Sequence, residues 1–157
     1  RMRKKSKASV VFSPARKKAL KAGFRSGLEQ RVSNELHSAN VTHDYEPSDR
    51  KLPYYLKSNA HCAVCGSNDT LERHEYIIDF YIPKTNIVLE TKGKFDRPMA
   101  LKMLAVREYN PEYEIVMLFM SNGKIGRGRY SDWCEKNGIK YFFEKDTEQW
   151  ISYIKGK

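Results

Sequence analysis

Apolar and β-branched residues along the chain gather into short runs separated by turn residues. Two of them, Tyr-Ile-Ile-Asp-Phe-Tyr-Ile at 76–82 and Ile-Val-Leu-Glu-Thr at 87–91, predict a hairpin closed by Pro83, Lys84, Thr85 and Asn86. A carboxylate interrupts each run. A loop symmetric about Lys84 and Thr85 sets Asp79 opposite Glu90, where Cβ atoms lie roughly 4.5–5.5 Å apart and like charges are destabilising. A cation is therefore expected beside them. Side-chain alternation places Glu90 and Lys92 on one face and Thr91 on the other, so one face collects two carboxylates and an amine. The plainer alternative is an ordinary Glu-Lys pair on a solvated hairpin, since short Glu-x-Lys strings are common. The Ile, Val and Leu residues around the acids point instead to strands covered on both faces.

Between Arg25 and Ala39, Leu28, Val32 and Leu36 recur every four residues and predict an amphipathic helix. Glu29 lies at the edge of that stripe, turned either toward the sheet or toward solvent with Arg25 or Arg31 as partner. Downstream, "RPMALKMLAVREY" suits a helix, "EIVMLFM" a strand, and "SDWCEKNG" a helix with Ser131 as N-cap and Gly138 as stop. "IKYFFE" then suits a strand and "DTEQWISYIK" a last helix. The order helix, strand, strand, helix, strand, helix, strand, helix predicts an α/β domain with a mixed central sheet flanked by helices.

A length of 157 residues fits one domain, and 29 Lys and Arg against 19 Asp and Glu give a net charge of +10. That excess favours a polyanionic partner, nucleic acid first. Residues 1–22 are dominated by Lys, Arg and Ser and are expected to be a flexible basic arm, with Arg16, Lys17 and Lys18 as phosphate contacts, ahead of one domain at 23–157. Arg25, then Lys94, Arg97 and Lys102 after the second hairpin strand, and Lys124, Arg127 and Arg129 in "NGKIGRGRY" extend the candidate DNA-binding set. A solubilising tail and a solvated turn are the bland alternatives. No run of eighteen apolar residues and no leader pattern is present, so membrane spanning and secretion are not expected and a cytoplasmic setting is.

The insert at 61–74 carries Cys62 and Cys65 in a C-x2-C, then Gly66 and His74. One such knuckle is half of a structural Zn²⁺ site, and His61 or a group from another chain would be needed to complete it. Two reduced thiols in a loop are the alternative. Cys134, within an apolar helix face, reads as a packing residue.

Paired carboxylates with a lysine are the donor set that a hard cation such as Mg²⁺ or Mn²⁺ requires for phosphodiester hydrolysis. The spacing D-x10-E-x-K resembles the catalytic core of the PD-(D/E)xK nuclease superfamily, with Ile78 in place of the proline. "FRSGLE" at 24–29, followed by "ETKG" and "EKNGIK", resembles more narrowly the endonuclease I family of T-odd phages, which are Holliday-junction resolvases; the similarity runs from about Phe24 to Trp150. The resemblance implies a restriction-endonuclease-like fold and a catalytic set of Glu29, Asp79, Glu90 and Lys92, with the Thr91 carbonyl as a further metal ligand. It also implies an intertwined, strand-exchanged homodimer acting on branched DNA. The proline-marked segment 44–60 is the expected bridge between subunits, bringing Glu29 of one chain to the acids of the other. Two rivals stay open. One is a general or HNH-like DNA nuclease, and the other is a non-catalytic zinc-containing DNA-binding protein in which the acids merely cap a hairpin.

Overall fold

The computed structural model describes residues 13–58, 62–67 and 70–157. A five-stranded mixed sheet has the order β1-β4-β5-β6-β9. These strands are β1 (Asp44–Tyr45), β4 (Phe80–Tyr81), β5 (Ile87–Lys92), β6 (Glu114–Phe119) and β9 (Lys140–Phe143). β1, β4 and β5 pair antiparallel, whereas β5, β6 and β9 pair parallel. The parallel steps need crossovers, supplied by α3 (Arg97–Tyr109) and α4 (Tyr130–Asn137).

Residues of β5 and β6 alternate between two cores. Val88, Ile115, Met117 and Phe119 pack with Met103 and Val106 of α3. Ile87, Leu89, Val116 and Leu118 pack with Leu28, Val32 and Leu36 of α2 (Gly27–Ser38) and with Trp150 and Ile154 of α5 (Thr147–Lys155). Both faces of β5 are thus covered, as its apolar run predicts.

Five departures from the sequence pattern are informative. The single strand predicted over 76–82 is two: β3 (Leu71–Ile77) pairs antiparallel with β2 (Lys51–Lys57) in a separate ribbon, and β4 resumes after a break at Ile78 and Asp79. Ile78 belongs to the α3-side core and Phe80 to the α2-side core. Two residues apart on an unbroken strand would face the same way, so the chain changes phase at Asp79. Segment 44–60, predicted as a connection, contains β1 and β2, both paired within this chain.

Residues 14–21 of the predicted flexible arm form helix α1 (Pro14–Lys21), which starts where the Ser13 hydroxyl accepts from the Arg16 amide and Pro14 stands in the first turn. Its Ala19 is fully buried, which gives the helix a docked face; residues 1–12 lie outside the described residues. Helix α4 begins at Tyr130, ahead of the predicted cap Ser131, and ends as predicted with Gly138 left-handed at φ 65°. Within "NGKIGRGRY", β7 (Lys124–Ile125) and β8 (Gly128–Arg129) make a small ribbon.

Candidate active site

The phase change sets the site. Phe80 pairs with Leu89 and Tyr81 with Val88, the register that continues to Asp79 opposite Glu90. Asp79 stands at the break, where its backbone leaves the ladder and needs other partners. Its amide donates to Glu90 Oε1 at 3.0 Å, and its carbonyl accepts from the Glu46 amide at 2.9 Å. Asp79 and Glu90 are buried at 2% and 0% exposure, so every donor near them counts.

Lys92 is the expected cation. Its Nζ lies 3.2 Å from Glu90 Oε2 and 3.5 Å from Asp79 Oδ2. Burial by itself disfavours the charged amine, but the attraction of Glu90 and Asp79 wins and raises its pKa. Burial, and then Asp79, push the Glu90 carboxyl up to about 7. Tyr76 donates to Glu90 Oε2 at 2.6 Å and accepts from Lys92 at 3.2 Å. Burial, reinforced by Glu90, raises the tyrosine pKa, so its hydroxyl stays a donor. Thr91 holds the opposite-face position, pairing with Leu118, yet its amide and hydroxyl both donate to Asp79 Oδ2, at 2.8 and 3.0 Å. Asp79 at the break lies within reach of both faces.

Glu29 arrives from α2. Ser26 caps that helix by accepting from the Glu29 amide at 3.2 Å, which fixes Glu29 in the first turn, where the helix dipole favours a negative charge. Glu29 Oε2 accepts from Tyr45 at 2.6 Å and from the Arg25 amide at 3.0 Å. Burial, then the bond to Glu29, push the Tyr45 hydroxyl up to about 12. The Arg25 guanidinium links Glu29 to Asp79: Nη2 is 2.9 Å from Asp79 Oδ1 and 4.0 Å from Glu29 Oε1, and Nε pairs with Glu46 Oε1. All four expected catalytic side chains are thus brought to one place, and within one chain. Tyr45, Glu46 and Tyr76 join them without having been expected. Sequence spacing carried no sign of these three, although Glu46 shows the backbone signature of a special position, φ 43° on a non-glycine residue.

Residues 11–154 match the family described as phage endonuclease I. The chain belongs to that family. "Endonuclease I" of Escherichia phage T7 is 34% identical over 132 residues, covering 82% of this chain and 78% of the relative. "Endodeoxyribonuclease 1" of Enterobacteria phage T3 is 36% identical over 122 residues, covering 75% and 70%.

In this endonuclease I chain the predicted cations fall into separate groups. Arg97, Arg127 and Arg129, joined by Lys136 and Trp133, line an open groove of about 490 Å³ between α3, the β7–β8 ribbon and α4. Gly126, left-handed at φ 60°, lets Arg97 lie close: a Cβ there would be 3.0 Å from Arg97 Nη2. Arg16, Lys17 and Lys18 are exposed on α1, and Lys94 and Lys124 are exposed elsewhere, while Lys102 is half-buried. Arg25 is the one predicted DNA contact held among the acids.

The insert has the knuckle turn. Gly66, at φ 70°, donates to the Cys62 carbonyl at 2.8 Å, and Cys62 donates to the Ser67 carbonyl at 2.9 Å. The amides of Cys65 and Val64 lower the Cys62 thiol pKa, and neither thiol is in a disulfide. His74 does not join them: it sits in β3 opposite Tyr54, with the two rings stacked at 5.3 Å. His61 lies outside the described residues. Among the described residues no three His, Cys, Asp or Glu side chains stand ready around a metal ion. At the carboxylates, Arg25 and Lys92 stand between the acids. Cys134 is fully buried in the α3-side core, as read from sequence. Among the described residues no helix is long and apolar enough to cross a membrane.

Proposed function

We propose that the chain is a divalent-cation-dependent endodeoxyribonuclease that hydrolyses phosphodiesters in four-way and other branched DNA. The observation that carries this reading is the buried cluster of Asp79, Glu90 and Lys92 with Glu29 at its edge; a DNA-binding module has no use for acids grouped in a basic protein. Family membership supports the nuclease chemistry, and the net charge of +10 supports the polyanionic substrate.

The donor chemistry fits a hard cation, because the oxygens are carboxylate and two of them, Asp79 Oδ1 and Glu29 Oε1, face the half-exposed Arg25 side chain instead of backbone amides or tyrosines. Asp79, Glu90 and Glu29, with the Thr91 carbonyl, would hold Mg²⁺ or Mn²⁺, which when bound supplies positive charge to the phosphate in the transition state. Lys92 is fixed by Glu90 and Tyr76 at the point where its ammonium can orient the attacking water. Tyr76 keeps Glu90 Oε2 turned toward Lys92. The groove of Arg97, Arg127 and Arg129 takes the phosphate backbone beyond the cleavage point, by charge and shape with little base readout.

Action on both strands of a junction calls for two sites, hence a homodimer. The segment between β1 and β2 is the natural crossover, since an exchange there would carry Glu29 and Arg25 together to the other chain and remake the Arg25–Asp79 contact between chains instead of within one. A Zn²⁺ held by the Cys62–Cys65 knuckle is a separate, structural proposal, checked by metal content after chelation.

The test is cleavage of a labelled synthetic four-way junction beside a linear duplex of the same sequence, with Mg²⁺ or EDTA, for wild type, Asp79→Asn and Glu90→Ala. Paired nicks confined to the junction, dependent on Mg²⁺ and reduced by orders of magnitude in both variants while DNA binding persists, is the expected result. Near-normal cleavage by Glu90→Ala would sink the assignment. Equal cutting of both substrates would replace the resolvase with a general nuclease, and strictly monomeric, fully active protein in light scattering would remove the dimer.

A further inference from the structure

The carboxylate oxygens of the site divide by the groups that meet them. Glu90 Oε1 takes the Asp79 amide, and Glu90 Oε2 takes the Tyr76 hydroxyl and the Lys92 ammonium. Asp79 Oδ2 takes the Thr91 amide and hydroxyl, and Glu29 Oε2 takes Tyr45 and the Arg25 amide. These oxygens are fixed by buried or backbone donors. The other two, Asp79 Oδ1 and Glu29 Oε1, both face one half-exposed group, Nη2 of Arg25, at 2.9 and 4.0 Å.

We infer that Arg25 is an exchangeable counter-ion: its guanidinium occupies the position between Asp79 and Glu29 that the divalent cation takes, anchored there by Glu46, and leaves when the cation enters. This rests on the cation-dependent reading above and assigns roles to Arg25 and Glu46 in it. Two positive groups cannot share those oxygens, since like charges at contact distance repel strongly where water is scarce. The two cations of the site differ in their freedom to leave. The Lys92 side chain is 13% exposed and bonded to Glu90 and Tyr76, whereas that of Arg25 is 55% exposed. Only the guanidinium has an open path. The Arg25 amide stays on Glu29 and Tyr45 while the side chain turns, so the α2 entry is undisturbed. The displaced guanidinium, a planar fork suited to phosphate oxygens, is then delivered at the substrate side of the site. Cation entry and the grip on the scissile phosphate thereby become one event.

The test is isothermal titration of Mn²⁺ into DNA-free wild type, Arg25→Gln, Arg25→Lys and Asp79→Asn, with circular dichroism to verify folding. Arg25→Gln is expected to bind Mn²⁺ about tenfold tighter than wild type, a gain kept below the unscreened Coulomb limit by the exposure of the guanidinium. Arg25→Lys, shorter but still charged, falls between them, and carries the test alone if Arg25→Gln does not fold. Thermal melting gives a second readout: Arg25→Gln melts lower than wild type in EDTA, because its acids lose their counter-charge, and gains more on adding Mn²⁺. Unchanged or weaker Mn²⁺ affinity in both Arg25 variants, with Asp79→Asn still abolishing binding, overturns the exchange and leaves the cation reading standing. Mn²⁺ affinity indifferent to Asp79→Asn overturns both.

Discussion

Glu90 is a carboxylate without water, and its behaviour follows from the few groups that replace water. Tyr76→Phe removes the hydroxyl that donates to Glu90 Oε2 and receives from Lys92, leaving a buried charge short of one donor. A destabilisation of about 1–3 kcal/mol is expected in urea unfolding. The raised Glu90 pKa has its own consequence. In EDTA, between pH about 4.5 and about 7, the folded chain holds a proton that the unfolded chain has released, so the contribution of Glu90 to stability is fully present below about 4.5 and is lost as pH rises toward about 7. Glu90→Gln, which has no proton to lose, should flatten that part of the unfolding free energy against pH; an identical slope in the variant would show that Glu90 titrates normally. The opposition of Asp79 and Glu90 and the need for Lys92 were legible from alternation and loop symmetry. Tyr45, Glu46 and Tyr76 were not, because they reach the acids through space from other segments and no spacing rule links them.

Among elements, α2 decides whether Glu29 faces the acids at all. Leu36, fully buried against the α2-side core, holds that helix on the sheet, and Leu36→Ala should cost about 2–5 kcal/mol in denaturant unfolding. Leu101 on α3 is a control of the same residue type, 64% exposed, where Ala should stay within about 0.5 kcal/mol. The helical period announced the first case without ambiguity. On α3 the residues turned inward are Ala100, Met103, Ala105 and Val106. The break at Asp79 lay beyond the sequence pattern altogether: apolar residues on both sides of it are buried, and a continuous apolar run looks the same whether or not it changes phase.

For the whole molecule, the distribution of positive charge sets how DNA is held. Arg97, Arg127 and Arg129 line one groove although they come from two distant stretches of chain. Each phosphate contact adds roughly 0.9 to the slope of log affinity against log salt on duplex DNA. Replacing all three by Ala should therefore weaken binding and reduce that slope by about 2–3, measured with Ca²⁺ to hold cleavage back. An unchanged slope would place the groove outside the DNA path. Lys102, half-buried, is expected to change the slope less than these three.

By itself the sequence determined the α2 helix, the main elements from β5 to α5, the mixed sheet, the two acids and lysine of the hairpin and the family to which the chain belongs, because these depend on local periodicity and on motifs short enough to be read along the chain. Tertiary structure decided the rest. It split one strand into two, turned 14–21 into a docked helix, paired 51–57 with 71–77, kept His74 away from the cysteines and drew Arg25 between Glu29 and Asp79. Each of those outcomes is set by which distant residues can satisfy a buried backbone group or charge, and that competition is resolved only when the sheet and helices come together.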